Sequence, residues 1–219
     1  ENSFNFEDEI ELENLLITLF IDLRRFGDEH IHRVHETEFH YHETFNKVFL
    51  FGIDEVGKTS LVRRIKTGKY TDNFFSATRK FNIEYVQDGQ NGLFAFWDMP
   101  GQRLFRKKWL LGLQDSNVMV YMIDIANQVR FEEAKKELWR ILSRYDLLGV
   151  PLLILGNKVD LIDDYQENDN YLLKLKNEIS ESFDFDKIEN RKWNFFYTSV
   201  KTNYNIEEIT KTIFNLISQ

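Results

Sequence analysis

Gly52-Ile-Asp-Glu-Val-Gly57-Lys58-Thr59 has the spacing of a loop that holds phosphate: two glycines with four residues between them, then lysine and threonine. Backbone N–H groups in such a loop, with the N-terminus of the helix that follows, point at phosphate oxygens. Lys58 is expected to neutralise the outer phosphates and the Thr59 hydroxyl to ligate Mg²⁺. Gly52, Asp54, Gly57 and Ser60 complete the nucleotide-contacting stretch. A glycine-containing turn ahead of a helix is the plain alternative, and so many fixed residue types at fixed spacing weigh against it.

Asn157-Lys158-Val-Asp160 offers a base-reading chemistry. Guanine presents N1–H and an exocyclic amine on one edge, and a carboxylate such as Asp160 accepts from both. Adenine has an acceptor at N1 and would leave that charge unpaired, which discriminates strongly. Asn157 is expected to tie this segment to the phosphate loop, and the Lys158 stem to pack along the base. Ser199-Val200-Lys201 is expected to line the other side of the base. Alone, such a pattern is often a solvated turn; behind a phosphate loop it is specific.

Asp98-Met-Pro-Gly101-Gln102 adds a hydrolytic set. Asp98 is expected to hold Mg²⁺ through water, the Gly101 N–H to sense the γ-phosphate, and Gln102 to orient the attacking water. Thr78 is the candidate second Mg²⁺ ligand, in place only with GTP. An aspartate at a strand end more often caps a helix, and a lone threonine is more often solvated. Five such stations in one chain order make those readings poor.

These side chains need a frame that brings distant loops together. Short apolar runs alternate with helical patterns from Asn46 onward. Strands are predicted at Lys47–Phe51, 80–87, 93–97, Asn117–Ile123, Pro151–Leu155 and Asn194–Thr198, with a hairpin turn at Asp88–Gly92. Helices are predicted from Lys58, over roughly 130–145, around Tyr171–Glu181 and over Ile206–Ile217. This order implies an α/β fold: a mostly parallel six-stranded sheet, one antiparallel edge strand, and helices on both faces. Ligands sit at the carboxyl ends of such strands, where every motif above falls.

Over residues 46–219 the chain resembles the small GTPases, specifically the Arf/Arl (ADP-ribosylation-factor-like) branch. The likeness rests on Asp54 in the phosphate loop, Thr78-Arg-Lys-Phe-Asn82, Trp97-Asp98, Trp109, Leu155-Gly-Asn-Lys-Val-Asp-Leu161 and Arg191-Lys-Trp193. The resemblance implies a P-loop NTPase G domain. It also implies a GTP/GDP switch in which GTP orders Thr78 and the Gly101–Gln102 segment and hydrolysis releases them. Activating, exchange and effector proteins cannot be identified from the residues. Four departures stand out: Glu55 adds a carboxylate beside the phosphates, Pro100 and Lys80 each replace a glycine, and Gly112 replaces an effector-facing aromatic. Phe75, three residues before Thr78, stands where a built-in arginine finger would be, so hydrolysis is expected to be slow alone and stimulated by a partner. The rival expectation is a non-cycling scaffold in which nucleotide is structural; an ATP-using P-loop enzyme conflicts with Asp160.

Residues 1–45 form a separate acidic extension, with twelve acidic and three basic side chains in a chain of net charge −8. The remaining 24 acidic and 25 basic residues nearly balance, which argues against nucleic acid as a partner. A helix is predicted over Asp8–Phe26, apolar on two sides. Its acidity favours docking on its own domain, or pairing with a second chain, over peripheral membrane association. His30, His32, His35, His40 and His42 fit an extended strand with one wet face better than a metal site. There is no cysteine, which suits a cytoplasmic setting.

Overall fold

A computed structural model describes residues 46–71, 78, 80–88, 92–162 and 169–217. The predicted helix over Asp8–Phe26, the five histidines, Phe75 and the centre of the Asp88–Gly92 turn lie outside the described residues.

Six strands form one sheet: β1 (Asn46–Phe51), β2 (Asn82–Asp88), β3 (Gly92–Asp98), β4 (Val118–Asp124), β5 (Leu152–Asn157) and β6 (Trp193–Thr198). Their order is β2-β3-β1-β4-β5-β6. Among these described strands only the β2–β3 pairing is antiparallel. The central strands are apolar without alternation and buried on both sides: Val48 to Phe51 in β1, Val118 to Ile123 in β4, Leu152 to Leu155 in β5. That is the signature of strands covered on both faces.

Among the described residues four long helices supply the cover: α1 (Lys58–Thr67), α2 (Phe131–Leu142), α3 (Asp169–Phe183) and α4 (Ile206–Ile217). On one face Phe214 of α4 stacks on Phe94 of β3, with ring centroids 4.0 Å apart. On the other, Trp109 meets Phe51 edge-on, and Tyr121 of β4 donates its hydroxyl hydrogen to Ala134 O of α2. Phe131 of α2 packs edge-on against Phe183 of α3, joining that pair of helices.

Three local details differ from the sequence reading. Strands β3 and β5 run on to Asp98 and Asn157, so these polar residues are the last rungs of the sheet rather than loop residues. Strand β2 starts at Asn82, not at residue 80, and the Phe81 ring just before it lies flat on Trp97 at 5.3 Å. A 3₁₀ turn over Arg103–Lys108 runs into one α-turn, Trp109–Gly112. Gly112 is buried there, and a Cβ would lie 2.8 Å from Met99 Sδ and 3.1 Å from Phe49. An aromatic ring has no room at that position, because Met99 and Phe49 already fill it. Among the described residues no helix is long and apolar enough to cross a membrane.

Candidate functional site

The turn from β1 into α1 is shaped by its glycines. Gly57 has φ +99°, in the left-handed region, and a Cβ there would fall 2.6 Å from Asn157 Nδ2. The turn wraps around Lys58, which is buried. Its Nζ donates to Gly52 O and Ile53 O, each at 2.8 Å. Burial pulls this ammonium down to about 8, against the opposing pull of Asp98 and Asp54. A phosphate entering the loop would supply the counter-charge that burial makes the ammonium lack. Ser60 lies half-buried in the first turn of α1.

Beside Lys58, Thr59 Oγ1 donates to Asp98 Oδ2, and Thr78 Oγ1 lies 3.1 Å from Thr59 Oγ1. Asp98 is buried, and its Oδ1 has no hydrogen-bond partner among the described residues. Burial raises its carboxyl above the usual range, and the Lys58 charge opposes that rise. An orphaned, buried carboxylate oxygen next to two converging hydroxyls is a set of hard oxygen donors that suits Mg²⁺. No group of three or more His, Cys, Asp or Glu able to hold another kind of metal occurs among the described residues.

The base-side residues brace one another. Asn157 Nδ2 donates to Val56 O at 2.8 Å, while its Oδ1 accepts from Val200 N and Thr198 Oγ1 at 3.2 and 3.3 Å. Lys158, at φ +68°, bonds Asp124 Oδ2 at 2.7 Å. Asp160 sits partly exposed in the 3₁₀ turn Val159–Leu161. Ser199 Oγ accepts from Thr202 N at 3.0 Å, and Lys201 is exposed. Arg64 of α1, which the sequence reading passed over, donates to Val200 O at 3.0 Å and Lys201 O at 2.7 Å.

Gly101 presses on the phosphate loop: a Cβ there would lie 2.5 Å from Asp54 N and 2.6 Å from Asp54 Cα. The next residue, Gln102, is half-buried and extended, and opens the 3₁₀ turn. What holds this segment down is a charge cluster absent from the sequence reading. Buried Arg106 donates Nε to Gly101 O at 2.6 Å, and its other nitrogens reach Asp54 Oδ1, Glu133 Oε1 and Glu137 Oε1 at 3.2, 2.6 and 3.3 Å. Arg130 bonds Asp54 Oδ1 at 2.7 Å and Glu133 Oε2 at 2.8 Å. The Asp54 carboxylate is thus committed to two guanidiniums, and what it leaves for a nucleotide is its backbone. Burial disfavours the charge on Asp54 and Glu133, but the guanidiniums outweigh it and hold both carboxyls below the usual range. The cluster's contribution is therefore full at neutral pH and is lost as pH falls through the carboxylate range. Glu133 and Arg130 are three apart on a predicted helix, the only local signal the sequence offered.

Arg106→Ala is expected to lower stability by about 1–3 kcal/mol, because it removes a buried guanidinium and leaves Gly101 O without its donor, while Arg130 and Arg140 still pair the half-buried acids. A fall in the urea midpoint at unchanged slope checks this. Arg106→Lys should recover only part of the loss, since an ammonium cannot serve a carbonyl and three carboxylates from one planar fork.

A profile of the ADP-ribosylation factor family matches residues 33–217. ADP-ribosylation factor-like protein 8c of Arabidopsis thaliana is 40% identical over 111 residues, 51% of this chain and 59% of that protein. ADP-ribosylation factor-like protein 8d of the same plant is 37% identical over 112 residues, 51% of this chain and 62% of that protein. The chain thus spans about three fifths of the length of the curated relatives it matches. Among solved structures, the Arl6 BBS3 small GTPase from Trypanosoma brucei with bound nucleotide analogue GppNp superposes with a TM-score of 0.67. It covers 80% of this chain and 98% of its own, and at 21% identity it shows that the fold is shared.

Proposed function

The chain belongs to the ADP-ribosylation factor family, and from that premise we propose that it is a GTP/GDP switch that hydrolyses GTP slowly alone and faster with an activating partner. The observation that carries the reading is the convergence of Lys58, Thr59, Thr78, Asp98 and Gly101 around one loop, with the orphaned Asp98 Oδ1 among them. When bound, Mg²⁺ held by Thr59, Thr78 and Asp98 would neutralise charge on the outer phosphates.

The other steps fall to the chain's own groups. Loop N–H groups between Gly52 and Lys58 and the α1 N-terminus orient the phosphates, and Lys58 balances their charge. Asp160 selects guanine, within a frame that Asn157, Ser199, Val200 and Lys201 build around the base. Gly101, pinned against Asp54, delivers its N–H to the terminal phosphate and sets Gln102 to orient the attacking water. With no arginine at position 75, turnover by the isolated chain is expected on the order of 10⁻⁴ to 10⁻² per second.

A single-turnover time course of GTP conversion to GDP, beside Gln102→Leu, tests the proposal. Slow GDP production that the substitution reduces at least roughly ten-fold would support a cycling switch with Gln102 in the catalytic role. GTP held tightly for hours with no GDP formed, with and without a candidate activating protein, would favour the non-cycling scaffold.

A further inference from the structure

The phosphate loop carries two adjacent carboxylates whose surroundings differ. Asp54 is matched by the guanidiniums of Arg106 and Arg130. Glu55 is exposed, holds φ +66°, and has no ion-pair partner among the described residues. The nearby cations are committed elsewhere: Arg106 and Arg130 to Asp54 and Glu133, Lys158 to Asp124, and Lys58 inside the loop. Among the described residues Glu55 therefore brings an uncompensated negative charge to a loop built to hold negative phosphates.

We propose that Glu55 shortens the residence of bound guanine nucleotide by charge repulsion, so that this chain exchanges nucleotide faster than the same loop would with a neutral residue at position 55. The proposal rests on the nucleotide-binding reading above. A single charge at the rim of a phosphate-holding loop, in the partly screened dielectric of a protein surface, corresponds to roughly a ten-fold effect on the release rate. Backbone strain is a separate cause, because a left-handed φ disfavours any side chain with a Cβ. Glu55→Gln keeps length and backbone while removing the charge, and so isolates repulsion; Glu55→Gly removes charge and strain together.

The test is release of fluorescently labelled GDP from the full chain, chased with excess unlabelled GDP in the presence of Mg²⁺. Glu55→Gln is expected to slow release about ten-fold at about 50 mM salt and less than about three-fold at about 500 mM, where screening removes the repulsion. Equal release rates for the parent chain and Glu55→Gln at low salt would overturn the proposal. So would a slowing seen with Glu55→Gly and not with Glu55→Gln, which would assign the effect to strain. Failure of parent and variant alike to take up labelled GDP would instead refute the nucleotide-binding reading beneath it, so the two failures are distinguishable.

Discussion

Asp160→Asn is expected to lower affinity for guanine nucleotide by on the order of 10³-fold and to create a preference for xanthine nucleotide. In the proposed reading the carboxylate accepts both hydrogens of the guanine edge. An asparagine can accept only one, and its amide N–H₂ would face the guanine amine donor to donor, leaving both unpaired. Xanthine carries a carbonyl in place of that amine, so the asparagine pairs with both of its groups. The frame should survive the change. Leu161 N bonds Lys158 O at 3.0 Å, Ile162 N bonds Val159 O at 3.0 Å, and Val159 is buried, so the turn is held without the Asp160 side chain. Competition of GDP and XDP for the labelled nucleotide measures the switch. Unchanged preference would mean that residue 160 does not read the base.

The second large effect is expected from Gly101→Ala: hydrolysis should fall by roughly 10²-fold or more while GDP affinity changes only a few-fold. The added Cβ would meet Asp54 N, Asp54 Cα and Ile53 C at 2.5 to 2.6 Å. These are backbone atoms of the phosphate loop, and no rotamer change moves them aside. The Gly101–Gln102 segment must lift, stretching the 2.6 Å bond from Arg106 Nε and carrying Gln102 away from the terminal phosphate. Single-turnover hydrolysis beside equilibrium GDP binding separates the two quantities. A variant with parental turnover would show that the segment does not work from the position it occupies against the loop.

Much of this arrangement was legible because the chemistry sits where strands end. Continuous apolar runs announce β1, β4 and β5, and a polar motif follows each of β1, β3, β5 and β6, which is enough to place the candidate phosphate, magnesium and base residues together at the carboxyl ends of the strands. The Arg106 cluster was not legible. Its partners Asp54 and Glu133 lie 52 and 27 residues away, and ion pairs at such separations leave no periodic trace. Gly112 was misleading for a related reason. In sequence it is a missing aromatic, whereas in the fold the volume belongs to Met99 and Phe49, which no local pattern connects to it. The helical segment Arg103–Gly112 also lacks a side-chain cap at its N-terminus, the signal by which a short helix announces itself.

Trp97 stands between Phe81, stacked flat on its ring, and Lys47, whose ammonium lies 3.9 Å from the ring centroid. Its indole N–H is buried without an acceptor among the described residues, and its backbone continues directly into Asp98. Emission from an indole shifts with the charges and rings around it, and here one neighbour, Phe81, follows Thr78 by three residues. Displacement of the Thr78 segment would therefore change the colour and yield of this tryptophan. The chain carries its own optical gauge of the magnesium-side residues, readable in a stopped-flow cell without attaching a dye.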